Sequence, residues 1–184
     1  TVLVNGGSMM EESAADAALD AEIYRPDPGG GAGAWSMAAR ARVPRLYHSV
    51  ALLMPDGKVV TAGSNPQRLT EELRIEVYWP AYLFAGERPV CRPDQAEVSY
   101  GGAVSAQAPN AAAIASVCLI RPGATTHSSD AEQRLVDVPH QVTAADRVSL
   151  ALPGSGNLAP PGWYLLFAVN TAGVPSEASW VHLT

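Results

Sequence analysis

The stretch RLYHSVALLMPDGKVV, residues 45–60, decides the fold. An apolar run with period two, from Ser49 to Leu53, is followed by Pro-Asp-Gly and a second apolar run, which predicts a β-hairpin. Tyr47 and His48 stand side by side at its entrance. Because neighbouring side chains of a regular strand point to opposite faces, this pair can serve one site only if the backbone is irregular there.

The composition of the chain favours an all-β protein with a substantial core. The 184 residues are 47% hydrophobic, which is enough for one good-sized domain or two small ones. Gly and Pro together supply 31 residues, spread between short β-branched runs. This punctuation is typical of strands joined by turns.

The charge pattern disfavours two classes of partner. The net charge is −6, the pI is near 5.1, and the twelve Lys and Arg are scattered along the chain. Nucleic acid and anionic membrane surfaces are therefore poor candidates. No apolar run approaches the roughly 20 residues of a membrane span. The amino terminus, TVLVNGGSMM, lacks the basic region of a signal peptide, although a leader could have been removed.

Residues 1 to about 85 contain a pattern that occurs twice. TVLVNGGS and KVVTAGSN are apolar strands that end in Gly turns, and the strands DAEIYRP and LRIEVYWP follow them. A period of roughly 50 residues with these marks indicates kelch-type propeller blades. Since each blade packs against two neighbours, two blades cannot close a propeller, and we expect an incomplete one.

The segment MEESAADAALDAEIY, residues 10–24, leaves an alternative open. Ala, Glu and Leu are good helix formers, so a helix is conceivable there. The segment lacks a sustained apolar face, and the preceding Gly-Gly favours a loop between strands.

The pattern changes after residue 87. Short strand candidates follow at intervals of roughly 10 to 15 residues, which predicts an immunoglobulin-like β-sandwich over 88–184, with the boundary at 86–90. The candidates are AEVSYG, AIASVCLIRP, QRLVDVP, RVSLALP, GWYLLFAVN and SWVHLT. Inward apolar and outward polar residues should alternate along these strands. The predicted core residues are Leu119, Val148, Leu150, Leu165 and Phe167.

The four histidines differ in context. His182 lies in a terminal strand and His140 follows a Pro in a predicted loop, so both are expected to be structural. His127 lies in GATTHSSDAEQR, a polar loop between two strands, from which a side chain can reach a neighbouring domain. From spacing alone, His48 and His127 are either metal ligands or hydrogen-bonded structural residues.

The two cysteines, Cys91 and Cys118, are too few for a disulfide scaffold and too far apart for a CxxC motif. One disulfide between neighbouring strands and two buried free thiols remain equally open.

Three stretches resemble signature segments of the galactose oxidase and glyoxal oxidase family of copper radical oxidases. They are RLYHSVALLMPDGKVVTAGSNP, GATTHSSDAEQR and PPGWYLLFAVNTAGVPSEA, in the family's order. The resemblance covers nearly the whole chain but only the carboxy-terminal part of a family member, namely the last kelch blades and the sandwich. It also implies a secreted or cell-surface protein.

By this resemblance, Tyr47, His48 and His127 match the protein ligands of a single copper ion. Tyr47 would be the axial ligand and the base, and the two histidines would be equatorial ligands. Imidazole nitrogen and phenolate oxygen with open coordination positions suit Cu(II).

The family also stores a second electron on a tyrosine cross-linked to a cysteine, both on earlier blades. This chain contains no matching residues, so the Tyr-Cys radical cofactor is not encoded in it. Cys91 and Cys118 match no cross-linking position, and Tyr24, Tyr78 and Tyr82 are interpreted as structural aromatics.

Two hypotheses follow. The first is the carboxy-terminal portion of an oxidase that converts primary alcohols, sugars or simple aldehydes while reducing O₂ to H₂O₂. Its partners would be the remaining blades or another copy of the chain, and the isolated chain would be inactive. The second is a non-catalytic β module that binds a glycan or a protein.

Overall fold

The computed structural model describes residues 1–10, 12–126 and 129–184, and the described chain is all-β, as predicted. It divides into two compact units. The first unit comprises Thr1–Leu52 and Val59–Tyr78, and the second comprises Leu53–Lys58 and Trp79–Thr184. Within these residues, no helix has the length and apolarity that a membrane crossing requires.

The strands before residue 79 form two three-stranded sheets, β1-β2-β3 and β4-β5-β6. Their bounds are β1 (Val2–Val4), β2 (Asp20–Arg25), β3 (Ala34–Arg40), β4 (Val50–Leu53), β5 (Val59–Ala62) and β6 (Glu76–Tyr78). Neither sheet closes on itself. The predicted hairpin of residues 45–60 is confirmed as β4 and β5, with Gly57 in the turn at a φ of +81°.

The sequence repeat is visible in the register of these sheets. In the first sheet Val2 lies opposite Tyr24 and Val4 lies opposite Glu22. In the second sheet Val59 lies opposite Tyr78 and Thr61 lies opposite Glu76. The two Glu-x-Tyr strands therefore pair with their apolar partner strands in the same way.

The described residues of the segment 10–24 do not form the alternative helix. They include a 3-10 turn, Ala14–Asp16, and the chain then enters β2 at Asp20. Antiparallel pairing of the Glu-x-Tyr strand with β1 and β3 overrides the local helix propensity of the alanines.

The second unit contains the sandwich. A five-stranded sheet has the order β13-β10-β16-β17-β8, and a four-stranded sheet has the order β14-β15-β9-β7. The strands of this unit are β7 (Arg92–Pro93), β8 (Glu97–Val98), β9 (Ala103–Gln107), β10 (Ile114–Arg121), β11 (Thr125–Thr126), β12 (Ser129–Asp130), β13 (Arg134–Asp137), β14 (His140–Ala144), β15 (Arg147–Ala151), β16 (Gly162–Asn170) and β17 (Ser179–Leu183).

The core of the sandwich lies between the inner faces of these sheets. Leu119 and Leu166 from the larger sheet and Val148 and Leu150 from the smaller one have no exposed surface. Each such aliphatic side chain contributes about 1.5 to 3 kcal/mol to folding. All predicted core residues are buried.

The predicted alternation is wrong for the central strand β16. Tyr164, Leu165, Leu166, Phe167 and Ala168 are all buried, although successive residues point to opposite faces. Leu165 and Phe167 therefore bury the outer face of the sheet, while the intervening residues join the inner core. A strand buried on both faces has no polar row, as in fully covered sheets.

Two segments that the sequence predicted as loops contain strands. His140 begins β14 and pairs with Leu150, because the hairpin with β15 continues back to the residue after Pro139. The polar segment 123–134 contains the short antiparallel pair β11 and β12. Strand β9 was not among the candidates, since its alanines and serine carry little β signal.

Both cysteines are free. Burial raises the pKa of the Cys91 thiol and of the Cys118 thiol to about 11. Of the two alternatives left open by the sequence, the structure has the free thiols.

Candidate metal centre

The pair Tyr47 and His48 lies in a turn that precedes β4. His48 has a φ of +62°, in the left-handed region that few non-glycine residues adopt. The backbone is therefore irregular where the sequence required it to be. Consecutive side chains are no longer forced to opposite faces.

The two rings come together at this turn. Their centroids are 3.9 Å apart and their planes are tilted by 48°. Tyr47 is 53% exposed, and His48 is also exposed. Neither side chain makes a hydrogen bond with any described residue. Both side chains are therefore accessible to a ligand.

The segment Gly63–Asn65 holds the backbone of the turn. The Ser64 Oγ accepts a hydrogen bond of 2.8 Å from the Leu46 amide, and the Asn65 amide donates one of 2.8 Å to the Tyr47 carbonyl. A Cβ on Gly63 would meet the His48 carbonyl oxygen at 2.5 Å, so only glycine permits this approach. The sequence predicts only a Gly turn at this segment, because its hydrogen bonds to the turn at Tyr47 join residues distant in sequence.

Charged groups near the turn are paired. Glu72 accepts hydrogen bonds from the Arg74 side chain and backbone, which lower the pKa of that carboxyl to about 2. Burial lowers the pKa of Arg45, although the nearby Glu76 and Glu72 oppose that shift. The carboxylates therefore stabilise the buried guanidinium.

The other tyrosines are engaged in structural contacts. Tyr24 packs on Trp35, with centroids 4.9 Å apart, and its hydroxyl donates to the Ala32 carbonyl. The Tyr82 hydroxyl donates to the Gly57 carbonyl at 2.5 Å. Burial raises the pKa of Tyr78. The contacts of Tyr24 and Tyr82 agree with their interpretation as structural aromatics.

Two of the remaining histidines have structural partners. The His140 Nε2 lies 3.3 Å from the Ile114 carbonyl oxygen. The His182 Nδ1 lies 2.8 Å from the Glu97 Oε2, and its ring stacks on Trp163 with centroids 4.8 Å apart. These contacts agree with the structural interpretation of both residues.

His127, the third predicted ligand, lies outside the described residues. Within 1–10, 12–126 and 129–184, no three His, Cys, Asp or Glu side chains cluster as metal ligands do. The described part of the candidate centre is therefore the Tyr47 and His48 pair.

The chemistry of this donor pair fits a copper ion. One phenol oxygen and one imidazole nitrogen are donors that Cu(II) accepts, and both are exposed at one turn. Adjacent residues bring both donors together only because of the left-handed backbone at His48.

Comparison with family models gives two matches. Residues 88–183 match the galactose oxidase-like, early set domain, and residues 1–82 match the glyoxal oxidase N-terminus.

Comparison with curated proteins gives relatives of the same kind. The chain is 37% identical over 204 aligned residues to aldehyde oxidase GLOX of Vitis pseudoreticulata, covering 99% of this chain and 38% of that protein. It is 31% identical over 150 residues to galactose oxidase of Gibberella zeae, covering 77% of this chain and 22% of that protein. The chain thus spans well under half the length of these relatives.

A solved structure matches the whole described fold. A fungal alcohol oxidase of the AA5 family, in complex with copper, superimposes with a TM-score of 0.86 at 29% identity. The match covers 99% of this chain and 40% of that chain.

Proposed function

We propose a function from one established premise: the chain belongs to the galactose oxidase and glyoxal oxidase family of copper radical oxidases. It is the carboxy-terminal portion of an enzyme that oxidises primary alcohols, sugars or simple aldehydes and reduces O₂ to H₂O₂. Residues 1–87 are its last kelch-type blades, and residues 88–184 are its carboxy-terminal sandwich. The separate family matches over 1–82 and 88–183 support this division.

The observation that carries the proposal is the Tyr47 and His48 turn. Its left-handed backbone and its rings at 3.9 Å give an exposed oxygen donor beside an exposed nitrogen donor. A turn of this kind is costly for a non-glycine residue, and strained backbone of this type is concentrated at functional sites. We assign Tyr47 and His48 as copper ligands and His127 as the third.

Tyr47 is also the proposed base. Copper, when bound, supplies one-electron redox chemistry and favours the phenolate form of a ligating tyrosine. The Tyr47 oxygen then accepts the proton of the substrate hydroxyl. The exposed position of Tyr47 gives a small substrate access to that oxygen.

The chain carries only part of the redox machinery. Alcohol oxidation removes two electrons, and copper accepts one. Cys91 is buried, Cys118 is half-buried, and the pKa of each thiol is raised to about 11, which opposes any role in one-electron storage through a thiolate. The second electron store therefore lies in the remainder of the enzyme.

The sheets before residue 79 carry exposed apolar surfaces that the remaining blades of the enzyme could cover. Exposed apolar side chains recur at alternate positions on β1, on β3 and across the start of β6, and alternate residues of a strand share a face. They are Val2 and Val4, Trp35 and Met37, and Ile75 and Val77. Apolar strand faces of this kind are normally covered, which supports the remaining blades, or a second copy of the chain, as partners.

Copper content of the intact source protein tests the proposal. We expect about one copper per molecule, peroxide release with a primary alcohol, and an absorption band from a tyrosyl radical. Tyr47→Phe should keep the fold and lose turnover, while Tyr24→Phe, a matched change at a structural tyrosine, should keep it. A protein without copper or peroxide production would instead be the non-catalytic β module. Secretion, or attachment at the cell surface, stays a prediction.

A further inference from the structure

We infer that Arg45 is the positioning residue of the copper-binding turn, acting through a clamp formed by its own side chain and the segment Gly63–Asn65. This inference rests on the proposed function of Tyr47 and His48. Arg45 lies two residues before Tyr47 and is only 3% exposed. Its charge is therefore held inside the first unit.

The guanidinium of Arg45 donates hydrogen bonds to backbone carbonyls in two other segments. It donates hydrogen bonds to the Thr61 hydroxyl and carbonyl, at 3.2 and 3.1 Å, and to the Gly63 carbonyl at 2.7 Å. It also donates to the Arg74 carbonyl at 2.8 Å. The planar fork of arginine thus joins the end of β5 to the segment that enters β6, which a lysine ammonium cannot reproduce.

The backbone of Arg45 is held on its other side by the first Gly turn of the repeat. The Gly7 amide donates to the Arg45 carbonyl at 2.8 Å. A Cβ on Gly6 would meet that same carbonyl oxygen at 2.4 Å, and Gly6 has a φ of +75°. The close approach is therefore possible only with glycine.

The two Gly turns of the sequence repeat consequently converge on one short segment. Gly6 and Gly7 contact Arg45 from one side, and Gly63–Asn65 bond to Arg45, Leu46 and Tyr47 from the other. Ser64 itself is buried with a φ of +141°, an unusual conformation for a serine. Strain at both Ser64 and His48 persists because these contacts over-determine the backbone.

The consequence is a preset backbone for the metal ligands. Among the described residues, the side chains of Tyr47 and His48 make no hydrogen bond, and the ring contact given for each is with the other. Their placement comes from the main chain, and the main chain is set by Arg45 and its partners. Arg45 is therefore proposed to contact neither substrate nor metal and to act only through the backbone of the turn.

Arg45→Met tests the inference in the intact source protein. The variant keeps the apolar stem and removes the fork. We expect Cu(II) affinity, measured by competition with a chelator, to fall roughly 10- to 100-fold, as for other residues that orient metal ligands. Arg45→Lys should recover only part of this loss.

Arg88→Met is the matched control. Arg88 also donates to main-chain carbonyls, those of Asp56, Pro175 and Ser176, but all of them belong to the second unit. Both variants should lower the melting temperature, whereas only Arg45→Met should weaken copper binding. Equal copper affinity in Arg45→Met and wild type, or equal losses in Arg45→Met and Arg88→Met, would overturn the positioning role.

A metal-free measurement separates this inference from the proposed function. If the wild type binds no copper, the proposed function fails, and hydrogen exchange of the apo protein still tests the clamp. The amides of residues 45–49 should exchange faster in Arg45→Met and remain unchanged in Arg88→Met. Unchanged exchange in both variants would show that Arg45 does not hold the turn.

Discussion

The two units of the chain differ in how they bury their strands. The sandwich of the second unit closes around Leu119, Val148, Leu150 and Leu166 and leaves none of these residues exposed. The sheets before residue 79 instead expose apolar residues such as Met37, which is 66% accessible. The second unit therefore encloses a core of its own, while the unit that carries Tyr47 and His48 leaves apolar strand residues exposed.

The largest expected effect concerns activity. The chain by itself should release no peroxide, because we propose that the second electron store lies in the remainder of the enzyme. Mixing it with a chain that supplies the earlier blades, in the presence of copper and O₂, should restore peroxide production on a primary alcohol. The Tyr47→Phe chain should not restore it. Robust turnover by the 184-residue chain alone would show that residues of this chain carry the second electron, and would contradict the proposal.

Core truncation should separate the two units in stability. Leu165 is 1% exposed, so Leu165→Ala should lower the free energy of unfolding by about 2 to 5 kcal/mol. Met37→Ala, at an exposed position in β3, should change it by less than about 0.5 kcal/mol in the isolated chain. Urea denaturation measures both. Similar losses for the two variants would contradict the contrast between a closed and an open unit.

Thiol reactivity should report how tightly the second unit closes. Because burial raises the pKa of Cys91 and Cys118 to about 11, little thiolate exists at pH 8. Alkylation by iodoacetamide should be roughly a hundredfold slower than for an exposed thiol. Denaturant should restore the ordinary rate at both sites, as followed by mass spectrometry. Rapid labelling of the native protein would mean that the sandwich opens readily.

The smallest effect concerns pH and the first unit. The pKa of Glu72 is lowered from 4.5 to about 2 by Arg74, so the ionised carboxylate stabilises the folded state fully above pH 4.5. This stabilisation is lost as the pH falls through about 2. The melting temperature should therefore fall less steeply between pH 4.5 and about 2 in Glu72→Gln than in the wild type. Glu71→Gln, at an exposed neighbouring carboxylate, should leave the decline unchanged.

Much of the architecture was predictable because it depends on local pattern. The Pro-Asp-Gly turn between apolar runs predicted β4 and β5, and each sandwich candidate segment contains a strand. Strand β9 was missed because Ala and Ser have weak strand propensity and only its neighbours β15 and β7 hold it in the sheet. The burial of both faces of β16 was likewise invisible to a pattern of period two.

The sequence by itself determined that Tyr47 and His48 are adjacent and that a regular strand could not unite them. It also determined the repeat, since period-two apolar runs and Gly turns are local properties of the chain. Only the tertiary structure decided that the two Gly turns meet at Arg45. That convergence depends on hydrogen bonds and close approaches between residues distant in sequence, such as Gly7 with Arg45 and Asn65 with Tyr47. Such contacts leave no local pattern, because they arise from packing rather than from the preferences of neighbouring residues.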